Sequence, residues 1–389
     1  MDWIKTAQEE LSRQGLAGWL VYDFRGNNPM AARFLSAKMK IGKLSRRVFL
    51  FVPARGEPSL LVHAIERGSL PPLSCRVLAY SSRQSLVAAL DGLLPKAEVA
   101  LEYSPLGDIP YVSHVDGGTI DLLRSLHVTP VSSATLLQVF DTWTEAQLGA
   151  HLEAAEHVMK AKDLAFAAIA RQLGAGQEVR ETEVQEVIVA YFSSQGLSYD
   201  HPPIVGFGSH SGDPHYAPQK GSDRTLRPGD AILIDLWCKR DEASAPFADI
   251  TWMGVRGEPS PELQEVFAVV REARDLAVAT IREHYARGHY PEGRLIDRAV
   301  RDFISKRGYG ERFSHRTGHS LGTRFVHGDA VHLDDFETCD SRELLPGLAV
   351  TVEPGVYLEG FGVRSEINVV LEQNGPRVTT GEQGTLEVV

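Results

Sequence analysis

Along the first 140 residues, short apolar runs alternate with polar turns. Ile4, Ala7 and Leu11 recur at helical spacing and mark an opening helix. Ala17–Tyr22, Val48–Val52, Ser59–Val62 and Glu98–Leu101 are rich in β-branched and aromatic residues, which predicts strands. Residues 1–140 therefore read as an α/β domain. No catalytic cluster is found there; the nearest candidate, Asp23–Pro29 (DFRGNNP), combines Gly, Asn and Pro and reads as a turn. A boundary falls at Asp141, where Asp141-Thr142-Trp143-Thr144-Glu145 supplies capping residues. Leu148, Leu152, Ala155, Met159, Leu164 and Ile169 then recur at helical spacing, so a long helix opens a second domain over residues 141–389. Further helices are predicted at Glu181–Gln195, Pro261–Arg287 and Glu292–Lys306, and strands at Pro203–Phe207, Ala231–Trp237, Phe247–Val255, Leu348–Leu358 and Gly362–Leu371. Helices interleaved with paired strands predict an α+β domain rather than a doubly wound parallel sheet.

Composition narrows the partners. A net charge of −11, with Lys and Arg scattered along the chain, argues against nucleic acid or an anionic membrane and favours small molecules or peptides. Cys75, Cys238 and Cys339 are odd in number and far apart, so neither a disulfide framework nor a CxxC site can be built from them. A reducing cytoplasm is the expected compartment. The charged segment Met1–Gly15 has no apolar core of the kind an export signal needs, and no run approaches the roughly 20 apolar residues of a spanning helix.

Candidate chemistry is concentrated in two hairpins. In the first, Asp235 ends the apolar run Ile-Leu-Ile-Asp-Leu-Trp and Asp249 interrupts Ala-Asp-Ile-Thr-Trp. Strand interiors disfavour Asp, and a buried carboxylate costs several kcal/mol unless a cation or donor compensates it. The second hairpin repeats the pattern with Glu353, on the face opposite Val350 and Val352, and with Arg364 and Glu366 on a common face. Between the hairpins, glycines flank His319 in His315-Arg316-Thr317-Gly318-His319-Ser320. Four carboxylates and an imidazole suffice for two divalent ions, which would share an activated hydroxide and stabilise the charge formed as it attacks a carbonyl.

These residues resemble the pita-bread metallopeptidases, the family of methionine aminopeptidase, aminopeptidase P and prolidase. The family's five metal-ligand positions are matched in order by Asp235, Asp249, His319, Glu353 and Glu366. The resemblance implies that Asp235 chelates one metal, that His319 and Glu353 hold the other, and that Asp249 and Glu366 bridge. Ile204–Gly208 followed by Asp213-Pro214-His215-Tyr216 resembles the segment whose histidine handles protons, here His215, and Phe325-Val326-His327 resembles that of a second catalytic histidine. Arg364 matches an arginine of proline-specific members and is expected to meet the substrate's carboxylate through its planar fork. The first domain is similar to the creatinase-type N-terminal domain of those members and is expected to close over the cleft. A homodimer is implied.

Two departures border the cleft. Asp235 and Asp249 stand fourteen apart, which extends the loop Cys238–Pro246, and Trp237 occupies a position where Gly is common. His319 and His327 are also one residue farther apart than usual, with His332 close by as a substitute. Cys238 alternates away from Asp235 and reads as packing. The favoured activity is that of an Xaa-Pro dipeptidase, with aminopeptidase P as the alternative. A metal-free creatinase-like hydrolase or a non-catalytic binding module would have lost ligands that this chain keeps.

The donor set itself carries a prediction. Carboxylates outnumber imidazole four to one and no thiolate is in place, so Mn²⁺ should support activity, with Co²⁺ or Zn²⁺ as replacements. Chelation is expected to abolish peptidase turnover; full activity in protein shown to be metal-free by elemental analysis would contradict this.

Overall fold

In the computed structural model the described residues are 2–35, 44–69 and 75–389, and they form two compact units, Met1–Phe140 and Asp141–Val389. The first unit is a three-layer α/β structure. Its helices are α1 (Asp2–Gln14), α2 (Pro29–Leu35), α3 (Arg83–Leu93), α4 (Gly117–Ser125) and α5 (Ala134–Gln138). Its strands are β1 (Gly18–Asp23), β2 (Val48–Pro53), β3 (Ser59–His63), β4 (Arg76–Tyr80), β5 (Glu98–Leu101) and β6 (Thr129–Ser132), in one sheet of order β4-β3-β2-β1-β5-β6.

Alternation along β1 and β2 explains the layering, because a strand with both faces covered must be apolar throughout. Trp19, Val21, Leu50 and Val52 pack on one face with Leu11 and Ala31 of α1 and α2. Leu20, Tyr22, Phe49 and Phe51 pack on the other with Leu86, Leu90 and Leu123 of α3 and α4. The DFRGNNP stretch is a turn closed by its first residue: Asp23 Oδ2 accepts the Gly26 N–H at 2.8 Å and Oδ1 accepts that of Asn28 at 2.9 Å.

The second unit contains helices α6 (Glu145–Gly174), α7 (Glu181–Ser194), α8 (Pro261–Ala286) and α9 (Gly293–Lys306). Thr144 caps α6 in a reciprocal box with Gln147. The principal sheet is built on β9 (Ala231–Arg240) and β10 (Ala248–Val255), flanked by β7 (Leu197–Ser198), β8 (Ile204–Phe207) and, at the chain's end, β16 (Glu387–Val388). A second sheet contains β11 (Ala349–Val352), β14 (Ile367–Glu372) and β15 (Gly375–Val378), and a short ribbon pairs β12 (Gly355–Tyr357) with β13 (Gly362–Arg364).

Ile232, Ile234, Leu236 and Cys238 of β9 pack on α6 and α7, whereas Ala231, Leu233 and Met253 share a cluster with α8, α9 and the inner residues of β11 and β14. Asp235, Asp249 and Thr251 lie at even spacing from that second set and share its face, so strand geometry sends them into the space between the sheets.

Two predicted strands are each broken in the structure. Leu348–Leu358 splits at Glu353-Pro354, and Gly362–Leu371 splits at Ser365-Glu366. Pro354 has no N–H to donate, so the ladder cannot run through it. At the breaks the main chain is handed to other partners: Glu353 N donates to Thr317 O at 2.8 Å, and Glu366 N to Thr251 O at 3.4 Å. Both glutamates thus stand where the backbone leaves its own hairpin for a neighbouring element.

His151 of α6 is wholly buried, with Nδ1 2.8 Å from the Phe247 carbonyl and Nε2 2.8 Å from Thr379 Oγ1. Burial lowers its pKa from 6.5 to about 4, against the opposing effect of the Phe247 bond. Between those values the unfolded chain binds a proton that the folded one refuses, so this residue's contribution to stability is lost as pH falls from 6.5 toward 4. In urea titrations, His151→Gln should reduce the loss of unfolding free energy between pH 7 and pH 4.5 by about 2–3 kcal/mol relative to the parent. An unchanged pH dependence would contradict the buried, neutral imidazole.

Candidate metal centre

Asp249, His319 and Glu366 offer ligand atoms that all lie within 4.8 Å of one another. Glu353 Oε1 is 3.4 Å from His319 Nε2, and Asp249 Oδ2 is 3.6 Å from it. Asp235 pairs across from Thr251 in the β9–β10 register, which makes it the diagonal neighbour of Asp249 on the same face. The structure therefore gathers all five sequence-matched positions into one cluster between the two sheets. His332, the substitute, is excluded from it by its own bond, since its Nδ1 takes the Ser320 N–H at 3.0 Å.

Each ligand candidate is oriented by its neighbours. His319 Nδ1 is 2.9 Å from the Ser320 carbonyl, which can only accept, so Nδ1 carries the proton and Nε2 turns its lone pair to the carboxylates. Gly318 makes this approach possible: a Cβ there would stand 2.1 Å from the Thr351 carbonyl oxygen. Thr351 Oγ1 accepts the His319 N–H at 2.9 Å and donates to Glu353 Oε1 at 3.0 Å. Thr251 plays the matching part in the other hairpin, donating to Glu366 Oε2 at 2.7 Å and accepting from Arg364 Nε at 2.9 Å. Asn368 bonds both the N–H and the carbonyl of Asp249, at 2.9 and 2.6 Å, and so fixes β10 against β14.

The charges are out of balance. Burial and the neighbouring carboxylates push Asp249 and Glu366 well above the usual carboxylate range, and burial raises Asp235 and Glu353 as well, against the pull of Arg364. Burial also lowers His319 far below an ordinary imidazole, with nearby His327 and Arg316 adding to the effect. Asp249 Oδ1 and Glu366 Oε1 are buried without a hydrogen-bond partner among the described residues. Acidic oxygens left unsatisfied beside an unprotonated imidazole nitrogen form a donor set that could hold a divalent cation.

The flanking histidines come from two loops. His327 stacks near His319, with ring centroids 4.1 Å apart, and Arg316 Nη2 donates to His327 Nδ1 at 3.0 Å. Since arginine only donates, the neutral His327 carries its proton on Nε2. His215 is exposed. Its loop is anchored by Glu181, the first residue of α7, which accepts the Tyr216 hydroxyl at 2.6 Å and the Arg224 N–H at 2.7 Å.

Arg364, expected to meet a substrate carboxylate, is buried and makes bonds inside the protein. Nη2 pairs with Asp235 Oδ2, Nε with Thr251, and Nη1 with Tyr357 Oη at 3.0 Å and the Pro214 carbonyl at 3.3 Å. The sequence placed it on the metal-facing side without showing that Asp235 would take it. It joins Asp235 to the residue preceding His215. Thr251 and Thr351, which sequence reading did not single out, carried a usable signal: each lies two residues from a candidate ligand, on the same strand face.

Residues 150–373 match the model of metallopeptidase family M24, more than half of the chain. The chain belongs to that family. The peptidase YqhT of Bacillus subtilis is 32% identical over 256 residues, which span 64% of this chain and 67% of that protein. Matches to other curated relatives span about half of their length. Among solved structures, dipeptidase PepE from Mycobacterium ulcerans superposes with a TM-score of 0.68 at 24% identity, covering 100% of this chain and 97% of that one. The prolidase from Pyrococcus horikoshii gives 0.61 at 22% identity, covering 99% and 100%. These neighbours share the pita-bread fold with its N-terminal domain, and the protein is a metallopeptidase of that architecture, a class that uses divalent metal ions.

The Asp235–Arg364 pair carries a prediction for the metal-free protein. Removing one partner of a buried pair typically costs about 3–5 kcal/mol, because the other charge is left uncompensated. Arg364→Met should lose unfolding free energy of that order in urea with chelator present, and Mn²⁺ should restore part of it. Equal stability of variant and parent in chelator would show that Asp235 does not depend on the guanidinium.

Proposed function

We propose that this metallopeptidase hydrolyses the Xaa-Pro bond of dipeptides, with two divalent ions held by Asp235, Asp249, His319, Glu353 and Glu366. The observation that carries the reading is the cluster itself: four carboxylates around one imidazole, with two acidic oxygens unsatisfied. Divalent ions bound there supply Lewis acidity and a water acidic enough to serve as nucleophile at neutral pH. Mn²⁺ is the proposed metal.

The chain's own groups take the remaining roles. His327, whose Nε2 carries the proton, donates to the oxygen on which charge develops. Exposed His215 moves protons to and from the reacting amide. Arg364 is a positioning residue that pairs with Asp235 and holds the His215 loop through the Pro214 carbonyl. A tertiary Xaa-Pro amide has no N–H, so a site that relies on that donor gains nothing from it, whereas a pocket shaped to the pyrrolidine ring selects it. The prolidase and dipeptidase neighbours support the reading at the level of fold. The three free cysteines accord with a cytoplasmic location, and family resemblance with a homodimer.

Kinetics on a small substrate panel test the proposal. Ala-Pro and Met-Pro should be cleaved, Xaa-Pro-Xaa tripeptides poorly, and Ala-Ala not at all. Efficient tripeptide cleavage with poor dipeptide turnover would reassign the activity to aminopeptidase P, and equal cleavage of Ala-Ala would remove proline specificity.

A further inference from the structure

Asp200 lies between β7 and β8, outside every motif by which the centre was found. Its carboxylate is mostly buried, 14% exposed, and its two oxygens serve different parts of the fold. Oδ1 accepts the indole N–H of Trp237 at 2.5 Å, and Oδ2 accepts the backbone N–H of Val326 at 3.1 Å. Trp237 is the cross-strand partner of Asp249 in the β9–β10 register, and Val326 immediately precedes His327. A single carboxylate thus joins the strand pair bearing two candidate ligands to the turn bearing the second histidine.

The turn needs such a tie. Between Leu321 and His327 the chain reaches solvent, with Phe325 52% exposed. Its internal closure consists of the Gly322 N–H to Val326 carbonyl bond at 3.1 Å and the Gly328 N–H to Ser320 carbonyl bond at 2.7 Å. Those bonds set the shape of the turn, and its start is anchored by the Leu321 N–H to Ala349 carbonyl bond at 2.9 Å and the Phe247 N–H to Gly322 carbonyl bond at 3.0 Å, while Asp200 ties its Val326–His327 end to β9. Around the bridge, Trp237, Phe247, Leu321 and Val326 pack in one apolar cluster, where a charged acceptor with both donors in place binds more strongly than in water. Both departures from the family pattern, the indole at 237 and the longer His319–His327 segment, meet at this carboxylate.

We infer that Asp200 is a positioning residue for His327: it fixes the turn through the Val326 N–H, and Trp237 holds Asp200 in place through the indole N–H. The inference rests on the role given to His327 above. Asparagine cannot replace Asp200 fully, because its single carbonyl oxygen can accept only one donor in this geometry and its amide would face the other. Phenylalanine at 237 keeps an aromatic ring but removes the indole N–H together with part of the ring system.

A double-mutant cycle in the metal-loaded enzyme separates positioning from bulk structure. Asp200→Ala should lower kcat about tenfold with little change in KM or bound metal, Asp200→Asn should lie between it and the parent, and Trp237→Phe should cost about threefold. In a His327→Ala background, Asp200→Ala should add no further loss, because its effect runs through that ring. Amide hydrogen exchange across residues 321–327 should accelerate in Asp200→Ala, a readout independent of turnover. An equal drop from Asp200→Ala with or without His327 would overturn the positioning role, as would unchanged exchange. Parent-like turnover in His327→Ala would instead overturn the role of His327.

Discussion

Four carboxylates confined between two sheets with one buried guanidinium create a charge deficit on which the rest of the catalytic unit depends. Among the described residues, Asp235 is the one of the four paired directly with a guanidinium, that of Arg364. Asp249 and Glu366 each keep a buried oxygen without a hydrogen-bond partner among the described residues. Left alone, such a cluster relieves its repulsion by binding protons, which is why burial and mutual repulsion raise its proton affinities. A divalent cation relieves it with the carboxylates ionised.

The surrounding structure keeps the acids together against that repulsion. The broken hairpins place Glu353 and Glu366 at points where backbone bonds cross to Thr317 and Thr251, so each is held by two elements rather than one. Thr251 and Thr351 repeat the same arrangement, each hydroxyl donating to a glutamate while accepting from a cation or a backbone N–H. Removing the freedom of the acids to swing apart would favour cation binding, as proposed.

Much of this could be read from the chain. An acid inside an apolar strand is conspicuous, and period-two alternation carries Asp235, Asp249 and Glu353 to one side. Helix limits in the second unit also lie close to expectation, because capping residues and apolar periodicity agree there. The strand breaks were harder to see: apolar alternation continues past Glu353-Pro354 and Ser365-Glu366, and only the missing N–H of Pro354 hinted at an interruption. Long-range commitments were invisible. Neither the 129-residue separation between Asp235 and Arg364 nor the 126-residue separation between Asp200 and Val326 leaves a local pattern.

The central claim, that the cluster is built for divalent ions, is tested most directly by calorimetric titration of Mn²⁺ into chelator-stripped protein, paired with thermal melts. Two ions bound per chain, together with a rise in Tm that grows with free Mn²⁺, is the predicted result. A chain that binds no Mn²⁺ at the centre, and whose Tm is indifferent to it, would contradict the account.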